Sequence, residues 1–342
     1  MKLIGDIREA WLLDEEPKRQ LLAIEKITLA YLMLTTILVF LYWGGMMNPG
    51  RLLAERFAIV VVMGCLYLIH RRFPSEGTRF LRNLFPLLLL SYWYPDTYEF
   101  CQMIDNLDYL FADADKALFG CQPALEFSKA LNGKVWSELF YMGYFSYFPM
   151  IVCGLVLPLF RSRRLFEKTA FIVMASFFLY YVIYLFLPVA GPQFYFPAAG
   201  ISNILNGHYP MLEDYFRTHA ELGPTVGADG LFKSLVEIAH NSGERPIAAF
   251  PSSHVGVSTI LMVLFWRHFR RVFYVFAPFF VLLCASTVYI QAHYLVDVFG
   301  GFATAALFYP FAHWLYGELH VKDRHRRSRS NSRRHRHRKE TR

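Results

Sequence analysis

Apolar residues along this chain are gathered into eight long runs separated by polar segments. The runs fall at roughly 22–43, 57–70, 84–94, 137–160, 169–189, 254–266, 272–291 and 298–316. A helix that crosses a bilayer needs about 20 apolar residues, within a range of about 17–25. The second run reaches that length only if the residues around 52–56 before it are included. The third run has Arg82 and Pro86 at its start, and the sixth run is short. The pattern predicts an all-α, polytopic membrane helix bundle with about eight transmembrane helices, or six or seven, and long outer loops.

The composition supports a membrane protein. The chain is 55% hydrophobic and 18% charged, whereas soluble domains are about 45–50% apolar and about 25% charged. Five cysteines in 342 residues make no disulfide framework. Cys101 and Cys121 fall in one outer segment, where they either pair or remain separate thiols.

Basic residues recur in the loops on one side of the predicted bundle. The positive-inside rule places that side in the cytoplasm, so both termini are expected to be cytoplasmic and the longer loops to face the periplasm or a lumen. No cleavable signal peptide is expected before the first run. The basic loop residues are Arg71, Arg72, Arg79, Arg82, Arg161, Arg163, Arg164, Lys168, Arg267, Arg270 and Arg271.

The C-terminal segment carries the positive charge of the chain. Residues 321–342 contain eleven Lys and Arg and two acidic residues, so their net charge of +9 accounts for the +8 of the whole chain. A disordered basic cytoplasmic tail over 318–342 is predicted, attracted to anionic lipids. Its Arg-Ser composition is also typical of RNA-binding segments, but no nucleic-acid partner is expected.

Five segments follow from these patterns. Residues 1–20 are predicted to be a cytoplasmic N-terminal segment, and 21–94 the N-terminal transmembrane helices. Residues 95–136 form an acidic outer segment, in which apolar residues at helical spacing around Met103 to Leu118 predict a helix on the membrane surface. Residues 137–317 are predicted to be the catalytic core. Within it, 190–253 is a Gly- and Pro-rich outer loop with a short helix at about 229–240.

The first stretch that carries chemistry is Pro-Ser-Ser-His at 251–254. Ser252 and Ser253 are good N-cap residues for the sixth run. The N-terminus of a helix suits an oxyanion such as phosphate, and His254 in its first turn can give or take a proton near neutral pH.

The second stretch is His-Tyr-Leu-Val-Asp at 293–297. On a helix His293 and Asp297 share a face, so Asp297 is expected to accept the Nδ1–H of His293 and leave Nε2 as a nucleophile or base. The eight-run topology puts His254, His293 and Asp297 at one membrane face. A metal site made of the two histidines and the carboxylate is the less favoured alternative.

Together the two stretches resemble the type 2 phosphatidic acid phosphatase superfamily of membrane lipid phosphatases and phosphotransferases. Gly-Pro-Gln-Phe-Tyr-Phe-Pro at 191–197, Leu-Phe-Gly at 118–120 with Pro123, and the tyrosine at 289 look more like its inositol phosphorylceramide synthase-like branch. On this resemblance, 137–317 is the family's catalytic core. The specific motifs cover residues 245–301.

The resemblance implies a metal-independent enzyme without a cofactor, acting on a lipid phosphate with water or an alcohol as acceptor. His293 would be the nucleophile that forms a phosphohistidine, Asp297 would orient it, and His254 would protonate the departing alkoxide. The phosphate-binding set implied is Ser252, Ser253, Arg245, Gly191 and Tyr289.

The chain departs from the family pattern in two places. The phosphatases usually carry a lysine seven residues before an Arg-Pro pair, but Ile238 stands at that distance from Arg245. Thr287 occupies the position of an arginine in the last motif. Both departures favour the transferase-like branch, and Arg245, or less favourably Lys233, is expected to neutralise the phosphate. The alternative function is a non-catalytic membrane transporter or scaffold on the same architecture.

Overall fold

A computed structural model describes residues 20–340, except 224 and 242. Most of the predicted N-terminal segment, 1–20, therefore lies outside the described residues. The described part is all-α, as predicted, and contains no β-strand. Its α-helices are α1 Ala23–Leu41, α2 Pro49–Arg72, α3 Glu76–Leu88, α4 Leu90–Cys101, α5 Asp108–Phe119, α6 Pro123–Ala130, α7 Lys134–Phe145, α8 Tyr147–Arg161, α9 Arg163–Phe186, α10 Pro192–Ala199, α11 Ile201–Leu205, α12 Leu231–Asn241, α13 Ser253–His268, α14 Arg270–Tyr289 and α15 Leu295–Glu340.

Six helical segments of the described chain are long and apolar enough to cross a membrane, which is the lower limit of the predicted range. They are α1, α2, α7 with α8, α9, α14 and the first part of α15, Leu295–Leu319. The third predicted run is divided between α3 and α4, each of which contains a proline. The sixth corresponds to α13, whose 16 residues rise only about 24 Å.

Helix α9 forms the centre of the bundle. In the most apolar 18-residue stretch of α9, 78% of the residues are buried. In the corresponding stretches of the other five candidate spans, 22–44% of the residues are buried. Ser162 caps its start by accepting the amide of Leu165 at 3.2 Å, and the helix ends just before Pro188, whose ring disfavours helical geometry in the preceding residue. Helices α1, α4, α8, α13 and α15 pack around it, so the functional helices α13 and α15 rest on a rigid core.

Buried ion pairs join the N-terminal helices to each other and to the core. Arg82 of α3 donates to Glu25 of α1 at 2.7 Å, and Arg79 donates to Glu167 of α9 at 2.9 Å. Both arginines are buried. The expectation that Arg79 and Arg82 are loop charges is therefore wrong, because each is neutralised by a glutamate of a neighbouring helix. Arg163, at the start of α9, is also buried and donates to Glu76 at 3.4 Å, so the positive-inside argument rests on the remaining basic residues.

The outer segments differ in part from the expectation. The predicted helix at 229–240 is α12, Leu231–Asn241. The predicted surface helix is the shorter α5, Asp108–Phe119, and its buried face contains Asp108, Ala112 and Asp115 while Leu118 is exposed. Of the apolar residues of α5, Ala112 is buried and Tyr109 and Phe111 pack against the core. The same helix also buries its two carboxylates, because backbone donors of other segments bind them.

Two further expectations concern the pairing of Cys101 with Cys121 and the conformation of the C-terminal segment. Cys101 and Cys121 are unpaired, and the Cys101 thiol instead donates to the carbonyl of Tyr184 at 2.9 Å. The segment predicted to be a disordered tail continues helix α15 as far as Glu340. Arg and Lys are good helix formers, so a basic composition does not by itself interrupt the last helix.

Glycines bring α13 and α15 unusually close together. A Cβ at Gly301 would lie 2.7 Å from the carbonyl oxygen of Ser252, and a Cβ at Gly256 would lie 3.0 Å from the carbonyl oxygen of Gly301. Small residues at a helix crossing allow the backbones to approach closely in this way. As a result, the N-terminal ends of α13 and α15 meet, although they are about 40 residues apart in the sequence.

Candidate active site

The two chemical stretches meet at these neighbouring helix ends. The amide of Ser252 donates to the carbonyl of Asp297 at 3.1 Å, which ties the start of α13 to the first turn of α15. His293 lies in the turn that precedes α15, and His254 lies in the first turn of α13. The convergence predicted from the eight-run topology is therefore present in the fold.

His293 is held in one orientation with one nitrogen free. Its Nδ1 lies 2.7 Å from the carbonyl oxygen of Ala249. A carbonyl only accepts, so Nδ1 carries the proton and Nε2 keeps its lone pair. That Nε2 lies 3.4 Å from Nδ1 of His254. Burial lowers the pKa of His293 to about 4, which keeps the imidazole neutral and nucleophilic at pH 7.

Asp297 does not make the predicted hydrogen bond to His293. Its Oδ2 lies 3.5 Å from Nδ1 of His293 but accepts the amide of Tyr294 at 2.8 Å. The reason is that helix α15 begins only at Leu295, so His293 and Asp297 do not share the face of one helix. The carbonyl of Ala249 takes the place that the sequence assigned to the carboxylate, while Asp297 supports the turn that carries His293.

His254 is enclosed by aromatic rings on its other side. The ring centroids of Tyr144 and Tyr147 lie 4.7 Å and 4.5 Å from that of His254. Both tyrosines come from α7 and α8, which the sequence predicted as one continuous run. The two rings fix the imidazole beside His293 without taking its nitrogens.

The start of α13 has the features of an oxyanion site. The hydroxyl of Ser252 accepts the amide of Val255 at 3.4 Å as the N-cap, and Ser253 follows as the first helical residue. Helix starts leave amides without intrahelical partners. Within the described structure the amide of His254 has no acceptor, so this donor and the helix dipole are free for an anion next to the two imidazoles.

Gly191 packs against the backbone of the nucleophile segment. Its φ of +92° is one that L-residues rarely adopt, and a Cβ would lie 2.6 Å from the carbonyl oxygen of Ala292. The adjoining amide of Gln193 donates to the carbonyl of Gln291 at 2.8 Å. The loop at 191–197 therefore supports the turn of His293, which explains the glycine without any contact to substrate.

Replacing Gly191 with alanine is expected to damage both stability and turnover. A matched control is Gly207→Ala, because Gly207 also has a positive φ, +74°, but no atom within 4 Å of its Cβ position. The control should lose about 1–2 kcal/mol from backbone strain alone. Gly191→Ala should melt at a lower temperature than the control and turn over lipid phosphate more slowly per folded molecule. Equal melting temperatures in the two variants would contradict the close-approach argument.

Three other predicted residues make contacts of a different kind. Arg245 is exposed and places its guanidinium 5.8 Å above the ring of Tyr98. Tyr289 is buried, and its hydroxyl donates to the carbonyl of Leu131 at 3.0 Å. Lys233 donates to the carbonyl of Gly227 at 2.9 Å. None of these contacts involves the two histidines.

Sequence reasoning missed two buried carboxylates, Asp108 and Asp115 of α5. They stand seven positions apart on one helix face, and that spacing was the available signal. The prediction of a helix on the membrane surface does not single out these two carboxylates. Among the described residues, no group of three or more His, Cys, Asp and Glu side chains is arranged to hold a metal ion.

The chain was compared with families, with curated proteins and with solved structures. A family model described as the PAP2 superfamily matches residues 111–311, which is more than half of the chain and includes His254, His293 and Asp297. No curated protein and no solved structure matches the chain.

Proposed function

Because the chain belongs to the PAP2 superfamily, we propose that it transfers a phosphoryl group from a lipid phosphate ester or phosphodiester through a phosphohistidine on His293. The family and the apolar helices make it an integral membrane protein of the lipid phosphatase and phosphotransferase type. The single observation that carries the proposal is the orientation of His293: its Nδ1 is held by the carbonyl of Ala249, and its Nε2 keeps a lone pair within 3.4 Å of Nδ1 of His254.

The proposed reaction has two halves. First, Nε2 of His293 attacks phosphorus and the bond from phosphorus to the ester oxygen breaks. His254, protonated when the anionic phosphate is bound beside it, gives its proton to the departing alkoxide and becomes neutral. Second, His254 takes a proton from water or an alcohol, whose oxygen attacks phosphorus and breaks the bond to nitrogen. The free amide of His254 and the dipole of α13 stabilise the charge on the phosphoryl oxygens, as preorganised donors do in other transfer enzymes.

Two features support a transferase of the inositol phosphorylceramide synthase-like branch over a plain phosphatase. Thr287 occupies the arginine position of the last motif, and its hydroxyl donates to the carbonyl of Cys284 at 2.9 Å, so this side chain supplies no positive charge for a phosphate. The Gly-Pro-Gln loop packs directly on the His293 turn. An alcohol acceptor such as a ceramide, with an inositol-containing phospholipid as donor, is the proposed substrate pair, and no metal or cofactor takes part.

The membrane orientation is part of the proposal. His254 and Arg267 stand at opposite ends of α13, which supports a site and basic loops on opposite sides of the bundle. The positive-inside rule then puts both termini in the cytoplasm and the active site at the outer, periplasmic or lumenal, face. The basic residues after 320 would face anionic lipids of the cytoplasmic leaflet.

The proposal is tested with purified protein in detergent micelles. One reaction contains phosphatidic acid labelled in its phosphate, and another contains similarly labelled phosphatidylinositol with ceramide. Release of inorganic phosphate from the first indicates a phosphatase, whereas transfer of label to ceramide indicates a transferase. Acid-labile label on the protein is expected in either case. Lipid binding without turnover or phosphohistidine would contradict the proposal and support a transporter or scaffold.

A further inference from the structure

Asp108 and Asp115, the two buried carboxylates of α5, bind different segments around the turn that carries His293. Asp108 and Asp115 are both completely buried, although α5 belongs to an outer segment of the chain. Burying an ionised carboxylate is costly unless hydrogen bonds satisfy it. In the described structure, the donors to these carboxylates belong to their own segment, to the loop before α10, to Tyr294 and to the first two residues of α15.

Asp115 caps helix α15 from another helix. Its Oδ2 accepts the amide of Leu295 and its Oδ1 accepts the amide of Val296, both at 2.9 Å. These are the first two residues of α15, whose amides have no intrahelical acceptor. A negative charge at this end also interacts favourably with the helix dipole. Asp115 therefore fixes where α15 begins, two residues after His293.

Asp108 binds the segments on the other side of the turn. Its Oδ1 accepts the amide of Gly191 at 2.8 Å and the hydroxyl of Tyr294 at 2.9 Å. Its Oδ2 accepts the amide of Ala190 and the side chain of Asn106, each at 2.6 Å. One carboxylate thus joins the residue after His293 to the loop that packs against Ala292.

A short chain of backbone bonds leads from Asp108 to the imidazole itself. Val189, next to Ala190, accepts the amide of Ala249 at 2.8 Å through its carbonyl. The carbonyl of the same Ala249 lies 2.7 Å from Nδ1 of His293. Asp108 therefore anchors two segments around His293. One is the turn that carries the imidazole, and the other is the segment whose Ala249 carbonyl sets the tautomer and the direction of that imidazole.

We propose that Asp108 and Asp115 are positioning residues, a carboxylate clamp on α5 that holds Nε2 of His293 in line with the phosphorus. The inference rests on the proposed function and adds to it the outer helix as a part of the catalytic machinery. Misplacement of a reacting group by about 1 Å can lower a rate about 100-fold, so the clamp should act on the chemical step and leave substrate binding nearly unchanged.

The test compares four single variants of the full chain with labelled phosphatidic acid, or with phosphatidylinositol and ceramide, whichever pair the wild type turns over. Asp108→Asn and Asp115→Asn place an amide NH₂ against backbone donors. Tyr294→Phe removes one bond of the clamp and leaves Asp108 in place. Asp113→Asn is the matched control, because Asp113 lies on the same helix but is exposed.

The measurements are kcat, KM, the single-turnover rate of phosphohistidine formation and the folded fraction. We expect kcat and the phosphohistidine rate per folded molecule to fall about 10- to 100-fold in the two Asp variants. The kcat of Tyr294→Phe should fall less than that of the two Asp variants. The KM of all three variants should change less than threefold. Asp113→Asn should match the wild type in both constants. Combining Tyr294→Phe with Asp108→Asn should cost less than the product of the single effects.

Two results would overturn the inference. One is wild-type phosphohistidine formation in folded Asp108→Asn and Asp115→Asn. The other is a loss of activity in Asp108→Asn and Asp115→Asn that their lower folded fraction explains completely, together with full activity in Tyr294→Phe. Either result leaves the proposed function standing if His293→Ala is inactive, whereas an active His293→Ala would refute the proposed function itself.

Discussion

Replacing His293 with alanine is expected to lower lipid phosphate turnover by at least about 10³-fold, because the variant lacks the atom that would bond to phosphorus. Loss of a nucleophile in a hydrolase removes most of the rate enhancement and leaves only binding and oxyanion stabilisation. Labelled phosphate should also fail to appear on the protein. The measurement is product formation from labelled phospholipid, together with acid-labile label on the purified chain.

The His293→Ala experiment has a control within the same protein. His208 is exposed in the outer loop, so His208→Ala should retain wild-type turnover and labelling. Since Nδ1 of His293 donates to Ala249, the alanine variant also leaves a buried carbonyl without its donor, which costs about 1–3 kcal/mol. The folded fraction must therefore be measured alongside activity. Turnover above one tenth of the wild-type rate in folded His293→Ala would eliminate the phosphohistidine mechanism.

Replacing His254 with alanine is expected to lower turnover by about 10²- to 10⁴-fold with a natural lipid, which is the usual contribution of a general acid. The loss should depend on the leaving group. A lipid alkoxide needs a proton as it departs, whereas the nitrophenolate of p-nitrophenyl phosphate departs without one. The variant should therefore lose much less activity on the aryl phosphate than on phosphatidic acid.

This dependence separates acid catalysis from packing. His254 lies between Tyr144 and Tyr147, so its removal also opens a space beside His293. A displaced His293 would slow both substrates equally, whereas a missing proton donor slows only the alkoxide. Tyr147→Phe keeps the ring contact and should leave the ratio between the two substrates unchanged. Equal losses on both substrates in His254→Ala would contradict its role as the acid.

The proposed mechanism and the carboxylate clamp assign different tasks to three aspartates. The sequence assigned the orienting role to Asp297 alone, but the structure distributes support for the turn among Asp297, Asp108 and Asp115. Asp297 accepts the amide of Tyr294, Asp108 its hydroxyl, and Asp115 the next two amides. The rigid turn would keep Nε2 pointing away from the Ala249 carbonyl and toward the space beside His254.

The amino-acid sequence by itself determined the class of fold and, through the resemblance of its motifs, the superfamily. Apolar runs of membrane length predict helices because hydrophobicity and hydrogen bonding in a bilayer act over consecutive residues. The Pro-Ser-Ser-His stretch likewise shows a helix start with a histidine in its first turn, since N-capping depends on neighbouring residues alone. These local rules also predicted α12 and led to the correct superfamily.

The tertiary structure alone decided the contacts between distant segments. Arg79 and Arg82 looked like loop charges until the fold paired them with glutamates 88 and 57 positions away. The spacing of His293 and Asp297 suggested a shared helix face, but the helix begins later because Asp115, 180 positions before Leu295, caps it there. Such hydrogen bonds depend on where separate helices come to rest in the packed bundle, and no pattern of neighbouring residues encodes that arrangement.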